Sequence, residues 1–223
     1  MESRRNQMTD CRIKRIKKIS NAFYNSSVIM AILSMIVYYC CDMEKNNIII
    51  MKTVVIYNSQ TGFTKRYAGW ISEELSCECF ELKAAKNMDF KDYDKIIFGS
   101  WACAGSISKI KWFKGKMKNW ANKKLAVFCV GGSPNENPEL EKAMKSWFNE
   151  EEHKKVAVFY CQGGFDYDKM SLASRLMMKA FVSALKAKKD QSEEEKAMAK
   201  MISKSYDISD KKYIQPILEW AEK

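Results

Sequence analysis

The stretch Met51-Lys-Thr-Val-Val-Ile-Tyr-Asn-Ser-Gln-Thr-Gly-Phe-Thr64 decides the fold of this chain. It opens with a short apolar run rich in β-branched residues, which predicts a strand, and it then turns abruptly polar. Small and hydroxyl-bearing residues follow, and a helical pattern begins at Arg66. In such a strand-turn-helix unit, the start of the helix lies just beyond the end of the strand. Its unpaired N–H groups and the positive end of its dipole suit an anion. The stretch therefore predicts a phosphate-binding turn.

The turn holds more hydroxyl groups than a helix cap requires. An ordinary strand-to-helix turn uses one Ser or Thr as the N-cap, whereas here three such residues surround Gly62: Ser59, Thr61 and Thr64. The turn lacks both the lysine pattern of a nucleoside-triphosphate loop and the G-x-G-x-x-G of a dinucleotide-binding turn. These absences argue against a nucleoside triphosphate and weaken the case for a dinucleotide.

The same turn resembles the phosphate loop of the flavodoxin family. Its residues match the pattern (Ser/Thr)-x-Thr-Gly-x-Thr at all four fixed positions. The second apolar stretch, Asp92–Ser100, follows about one βαβ unit later and strengthens the resemblance. In that family the loop holds the 5′-phosphate of FMN. The resemblance therefore implies FMN as the cofactor and a phosphate site formed by Ser59, Gln60, Thr61, Gly62, Phe63 and Thr64.

The remainder of the chain alternates between strand and helix patterns. Strands are predicted over residues 53–58, 77–82, 95–100, 125–130 and 156–160. Helices are predicted over residues 65–75, 107–122, 138–148 and 211–221. All strands but the second are nearly continuous apolar runs, as expected where helices cover both faces of a sheet. The prediction is an α/β fold: a doubly wound, five-stranded parallel sheet in the flavodoxin-like order 2-1-3-4-5, with helices on both faces.

An insertion follows the fifth strand. The segment between Gly164 and Asp210 is longer than a minimal flavodoxin needs, and residues 169–185 are predicted to form a broadly apolar or amphipathic helix. Lys186, Lys188 and Lys189 follow that helix. Two interpretations stay open. The helix packs on the sheet edge, or it forms a lid over the cofactor or a surface that touches a membrane or a lipophilic substrate.

The predicted site lies beyond the carboxyl ends of the strands, where the strand order switches. Three loops meet there: the phosphate loop and the loops after strands three and four. In the flavodoxin family the two latter loops flank the flavin ring, and Trp101 is expected either to stack on that ring or to pack at the sheet edge. The further predicted cofactor-binding residues are Ser100, Trp101, Ala102, Cys103, Ala104, Gly105, Gly131, Gly132 and Ser133. No catalytic residue is predicted, because no base is adjacent to Cys103.

Composition limits the remaining alternatives. The 223 residues are 47% hydrophobic, which suffices for one α/β domain with an extension and argues against disorder. Eight cysteines form no C-x-x-C pair and there is one histidine, so we expect no zinc site and reduced, cytosolic thiols. Cys129 and Cys161 sit in apolar runs and are predicted core residues. The net charge of +11 would suit nucleic acid, an anionic membrane surface or an acidic protein. We expect no nucleic acid, since no nucleic-acid motif accompanies the charge.

Residues 1–50 differ in character from residues 51–223, which are predicted to form the flavodoxin-like FMN-binding domain. A basic stretch at residues 12–18 precedes a 14-residue apolar run at residues 28–41, shorter than the roughly 20 residues of a membrane span. One interpretation is an over-extended start, with Met51 as the functional initiator. The other is a membrane anchor or a signal sequence, although no small-x-small cleavage site follows the run.

Within its superfamily the chain is similar to the branch that contains menaquinone-dependent protoporphyrinogen IX dehydrogenase. The shared features are the basic charge, the short polar link at residues 83–94 and the Lys/Met-rich segment at residues 170–185. This resemblance implies an FMN oxidoreductase that passes electrons from a porphyrinogen to a quinone, in a cytoplasmic protein with peripheral membrane contact. The alternative is a non-enzymatic flavodoxin that carries electrons between redox partner proteins. A flavodoxin fold without FMN is disfavoured by the intact phosphate loop.

Overall fold

The structure, a computed structural model, describes residues 31–36 and 51–223. The chain divides into two compact units, Met1–Ile50 and Met51–Lys223. In the first unit residues 31–36 are helical, and the hydroxyl of Ser34 donates to the carbonyl of Ala31 at 3.0 Å. The basic stretch and most of the apolar run of the first fifty residues lie outside the described part. Within the described part, no helix is both long enough and apolar enough to cross a membrane.

The second unit is built on a parallel sheet. Its strands are β1 (Thr53–Tyr57), β2 (Glu78–Glu81), β3 (Lys95–Cys103), β4 (Ser106–Ile107), β5 (Lys124–Gly131) and β6 (Val156–Gln162). The five long strands lie in the order β2-β1-β3-β5-β6, all parallel, and β4 pairs antiparallel with the end of β3. If the five long strands are numbered 1 to 5 along the chain, leaving out β4, their order is the predicted 2-1-3-4-5. The predicted doubly wound fold is confirmed.

Helices cover both faces of this sheet. The helices of this unit are α1 (Phe63–Glu74), α2 (Leu82–Ala85), α3 (Ile110–Met117), α4 (Pro138–Ser146), α5 (Glu150–His153), α6 (Leu172–Ala187), α7 (Glu193–Met201) and α8 (Gln215–Glu222). Lys118–Trp120 and Lys211–Ile214 form 3-10 turns. A separate antiparallel ribbon consists of β7 (Gly164–Phe165) and β8 (Tyr206–Asp207).

Two hydrophobic cores result from the alternation of side chains along each strand. Val54 and Ile56 face a core that also holds Phe113 from α3. Val55, between them, faces the other core, which Tyr67 from α1 and other residues of α1 and α8 complete. The two predicted core cysteines, Cys129 and Cys161, are fully buried, one in each core, as expected.

The segment after the third predicted strand, expected to be a loop, is instead a β-hairpin. Strand β3 continues to Cys103 rather than ending at Ser100. Ala104 (φ 47°) and Gly105 (φ 76°) then form a two-residue turn with positive φ at both positions. Such turns match the right-handed twist of paired strands. The helix predicted from Ile107 begins only at residue 110, since Ile107 belongs to the returning strand β4.

The insertion holds more structure than the pattern predicted. Its helix, predicted over residues 169–185, is α6, and the hydroxyl of Ser171 caps it by accepting from the N–H of Ser174. Helix α7 and the ribbon were not predicted. The helix predicted over residues 211–221 starts as a 3-10 turn and becomes α-helical only from Gln215, with Pro216 in the first turn.

Buried Tyr67 joins α1 to two other parts of the domain. Its hydroxyl donates to the carbonyl of Gln162 at 2.5 Å and accepts from the N–H of Asp210 at 3.0 Å. Burial raises the pKa of this phenol above its ordinary value. The stability that depends on the neutral phenol is therefore complete below the unfolded-state pKa of about 10 and is lost as the pH rises above it.

We expect Tyr67→Phe to lower the free energy of unfolding by about 1–2 kcal/mol at neutral pH, since both hydrogen bonds of the hydroxyl are lost and the partly buried N–H of Asp210 is left without this partner. Above about pH 10 the stability of the variant should fall less steeply than that of the wild type. Urea unfolding at a series of alkaline pH values measures both effects. Parallel curves for the two proteins would contradict the role given to Tyr67.

Candidate functional site

The turn after β1 leaves the start of α1 without a side-chain cap. Gly62 is the N-cap residue with φ +99°, and no side chain accepts from the first turn of the helix. The N–H of Gly62 itself donates to the hydroxyl of Ser59 at 3.1 Å. Helices α2, α3 and α8 also lack such a cap, whereas the other four begin with a capping side chain: Asn137, Asn149, Ser171 and Ser192. The N–H groups at the start of α1 thus have no side-chain acceptor, and such groups suit an anion.

The hydroxyls of this loop divide into two roles. Ser59 shapes the loop, because it accepts the Gly62 N–H. Thr61 is half-buried and Thr64 is buried. Neither threonine hydroxyl hydrogen-bonds to any other group among residues 51–223. Two hydroxyl donors thus stand beside the uncapped helix start, which is the donor set that a phosphate monoester requires.

A cleft of about 580 Å³ lies beside this loop. Its lining residues are Gln60, Thr61, Gly62, Phe63, Arg66, Phe165, Asp166, Lys169, Ser205, Tyr206 and Asp207. The β7–β8 ribbon forms the wall opposite the loop, with the rings of Phe165 and Tyr206 packed edge to face at 5.4 Å. The hydroxyl of Tyr206 donates to the carbonyl of Gly132 at 2.7 Å and so fixes the ribbon against the end of β5.

Both cations of the cleft are already paired. Arg66 binds Asp207 at 2.6 Å, and Lys169 binds Asp166 at 2.8 Å. Burial disfavours ionisation of Asp207, yet hydrogen bonds from Ser209 and Arg66 outweigh it and place the pKa of this carboxyl below its ordinary value. The ammonium of Lys169 likewise lowers the pKa of Asp166. An anion at the loop would therefore be held chiefly by backbone N–H groups, hydroxyls and the helix dipole.

The loops after β3 and β5 are fixed at the same end of the sheet. The side-chain amide of Asn58 donates to the hydroxyl of Ser100 at 3.0 Å. The indole of Trp147 donates to the carbonyl of Gly105 at 2.9 Å and anchors the tip of the hairpin. After β5, the hydroxyl of Tyr160 accepts from the N–H of Ser133 at 3.0 Å and donates to its carbonyl at 2.9 Å.

The predicted site residues fall into two groups. Gln60 to Phe63 line the cleft, whereas Ser59, Thr64, residues 100–105 and residues 131–133 do not. Trp101 lies within β3, half-buried and paired with Val130, while residues 102–105 are exposed on the hairpin. Gly131 is buried at the end of β5. That all of these residues contact a cofactor remains a prediction.

Sequence reasoning missed the other cleft residues: Arg66, Phe165, Asp166, Lys169, Ser205, Tyr206 and Asp207. Arg66 could have been predicted from the sequence, because the first turn of a helix that follows a phosphate loop faces the ligand site. The ribbon residues could not. Strands of two residues have no periodicity that a sequence pattern can reveal.

Residues 54–192 match the flavodoxin domain family, and the chain belongs to this family. A flavodoxin-like domain-containing protein, BilS of Clostridioides difficile, is 33% identical over 88 residues. That alignment covers 37% of the present chain and 48% of BilS, so the chain spans about half the length of this curated relative.

Solved flavoproteins are also similar to this chain. One is a flavoprotein from Lactobacillus acidophilus, crystallised in complex with FMN. It is 24% identical, with coverage of 50% of the present chain and 92% of that protein and a TM-score of 0.38. A WrbA-like flavodoxin from Agrobacterium tumefaciens is 21% identical, with coverage of 56% and 88% and a TM-score of 0.36.

Proposed function

We propose that this protein binds FMN through residues 59–64 and is an FMN-dependent oxidoreductase. The observation that carries the proposal is the uncapped start of α1 at Gly62, beside the two unpartnered threonine hydroxyls and an open cleft. Membership of the flavodoxin family supports the same assignment. When bound, FMN supplies the electron-transfer chemistry, and the protein supplies binding and orientation.

Each part of the chain has a definite task in this proposal. The N–H groups at the start of α1 and the hydroxyls of Thr61 and Thr64 bind the phosphate. The ion pair between Arg66 and Asp207 joins α1 to the ribbon. It therefore fixes the position of the aromatic side chains of the cleft relative to the loop. Residues 100–105 and 131–133 are proposed to flank the flavin ring.

The test compares FMN with riboflavin, which lacks the phosphate. We expect the wild-type protein to bind FMN more tightly than riboflavin. Thr61→Ala and Thr64→Ala should each weaken FMN binding by about 1–3 kcal/mol, the cost of an unmade contact to a charged group, and leave riboflavin binding unchanged. Titration calorimetry with both flavins measures the difference.

A matched control is Ser72→Ala, in the same helix but at its opposite end. The hydroxyl of Ser72 donates to the carbonyl of Gly69 at 2.9 Å and points away from the loop. This variant should bind both flavins as the wild type does. If Thr61→Ala and Thr64→Ala also keep wild-type affinity for FMN, the phosphate site has been misplaced. A protein that binds neither flavin would remove the cofactor from the proposal.

For the reaction, we propose oxidation of a porphyrinogen with a quinone as the acceptor, each two-electron step transferring two hydrogens to give the quinol. The feature that supports it is α6, which begins beside the phosphate loop and carries exposed apolar side chains next to lysines. An apolar, basic surface suits a lipophilic acidic substrate. Porphyrin fluorescence, followed with FMN-loaded protein and a soluble quinone, tests this reaction. Electron delivery only to a redox partner protein would indicate the carrier role instead.

A further inference from the structure

One side of α6 is apolar and open to solvent. Leu172, Leu176, Met177 and Phe181 have 73%, 58%, 51% and 49% of their surface exposed. At 100° per residue these four side chains cover one half of the helix surface, with alanines between them. The opposite half is the packed one, where Val182 is buried. A cluster of large exposed apolar side chains of this kind indicates an interaction surface.

The charged side chains of α6 itself are all basic. Helix α6 contains no acidic residue among Leu172–Ala187, and Lys179 and Lys186 lie along one edge of the exposed face. Among the described residues, neither lysine has a carboxylate within ion-pairing distance. Lys188, just beyond the helix, differs because it binds Glu195 at 2.6 Å. Free lysines beside apolar side chains let the alkyl stems follow the apolar surface while the ammonium groups reach outward.

We propose that this face of α6 docks on an anionic lipid surface. The face is the convex side of a helix, and its side chains differ in length. A deformable lipid interface can accommodate such a surface, whereas a rigid partner needs a groove of matching shape. The lysine edge complements anionic head groups, and the chain as a whole is basic. An acidic protein partner would satisfy the charge but would need a preformed groove to cover the apolar side chains. The contact is peripheral and does not require bound FMN.

The docking face is close to the cofactor site proposed above. The hydroxyl of Ser174 exchanges hydrogen bonds with the side-chain amide of Gln60, at 3.2 and 3.3 Å. Gln60 belongs to the phosphate loop and lines the cleft. A protein docked through α6 therefore holds the phosphate-loop end of its sheet near the lipid surface.

The experiment is flotation of the full-length protein with phosphatidylcholine vesicles, with and without phosphatidylglycerol. We expect binding to the anionic vesicles only. The double variants Leu176→Ser/Phe181→Ser and Lys179→Glu/Lys186→Glu should each bind at least about 10-fold more weakly. The matched control is Lys111→Glu/Lys118→Glu, which changes the net charge equally on exposed lysines elsewhere and should stay within about 2-fold of the wild type.

Because residues 1–50 are the same in all these proteins, differences among them report on the substituted positions. Equal vesicle binding by the wild type and both α6 variants would overturn the proposal. Equal binding to neutral and anionic vesicles would overturn the assignment of an anionic surface. If the wild type forms a dimer that Leu176→Ser/Phe181→Ser abolishes, while neither protein binds vesicles, the face is an interface between two copies and the lipid proposal is wrong.

Discussion

A Gly62→Val protein is expected to fold and to lose FMN. Position 62 has φ +99°, a conformation that β-branched residues do not adopt without strain of about 1–3 kcal/mol. We expect the loop to relieve this strain by changing shape, which would turn the N–H groups at the start of α1 away from the proposed phosphate site. We expect FMN affinity to fall by about 100-fold or more, because both the strain and the lost contacts oppose binding.

The stability of the fold should change much less in this variant. A Cβ atom at position 62 would meet no other atom within 4 Å, and Gly62 lies outside both hydrophobic cores, so we expect no core contact to be disturbed. Gly69→Ala is the control, since Gly69 lies in the same helix, has the same free space and does not have positive φ. It should gain about 0.5–1 kcal/mol of stability from helix propensity and keep FMN affinity. Equal FMN binding by Gly62→Val and the wild type would show that the backbone of the loop does not bind the phosphate.

Gly164→Ala is expected to open the β7–β8 ribbon. A methyl group at position 164 would lie 2.0 Å from the carbonyl oxygen of Tyr206 and 3.1 Å from the Cα of Asp207. Both are backbone atoms, so the two strands must separate. We expect a loss of about 3 kcal/mol in the free energy of unfolding, at the upper end of overpacking effects. The cleft should lose its aromatic wall at the same time.

Limited proteolysis and thermal unfolding measure these effects. Cleavage within residues 165–206 should become faster in Gly164→Ala, because the ribbon joins the two ends of the insertion. Gly115→Ala is the control: Gly115 lies in α3 with no atom within 4 Å of an added methyl. It should show wild-type cleavage and equal or higher stability. Unchanged proteolysis in Gly164→Ala would contradict the close approach of the two strands.

The elements that sequence reasoning placed well are those with strong periodicity. β1, β5 and β6 are apolar runs bounded by polar residues or glycine, and their predicted and observed bounds differ by no more than two residues. The turn before α1 could be predicted because hydroxyls at 59, 61 and 64 around a glycine follow directly on an apolar run. The same spacing favours an anionic ligand, and that ligand class stays a prediction.

The rest depended on contacts between residues distant in sequence. The hairpin turn at Ala104-Gly105 lacks the Asn-Gly or Asp-Gly pair that marks such turns, and tertiary contacts such as that of Trp147 hold it in place. The cleft wall depends on Tyr206 reaching Gly132, a contact across 74 residues. No local pattern carries that information, so the cleft could not be assembled from the sequence.

The pair of hydrogen bonds between Gln60 and Ser174 has a thermodynamic consequence. They join the loop that starts α1 to the helix that carries the exposed apolar face, across 114 residues of chain. If occupancy of the loop alters this junction, the two binding events share a coupling free energy. Reciprocity then requires each ligand to change the affinity of the other by one and the same factor. Vesicles would then change the flavin affinity by the same factor by which flavin changes the vesicle affinity. Titrations of each ligand with and without the other measure the two factors.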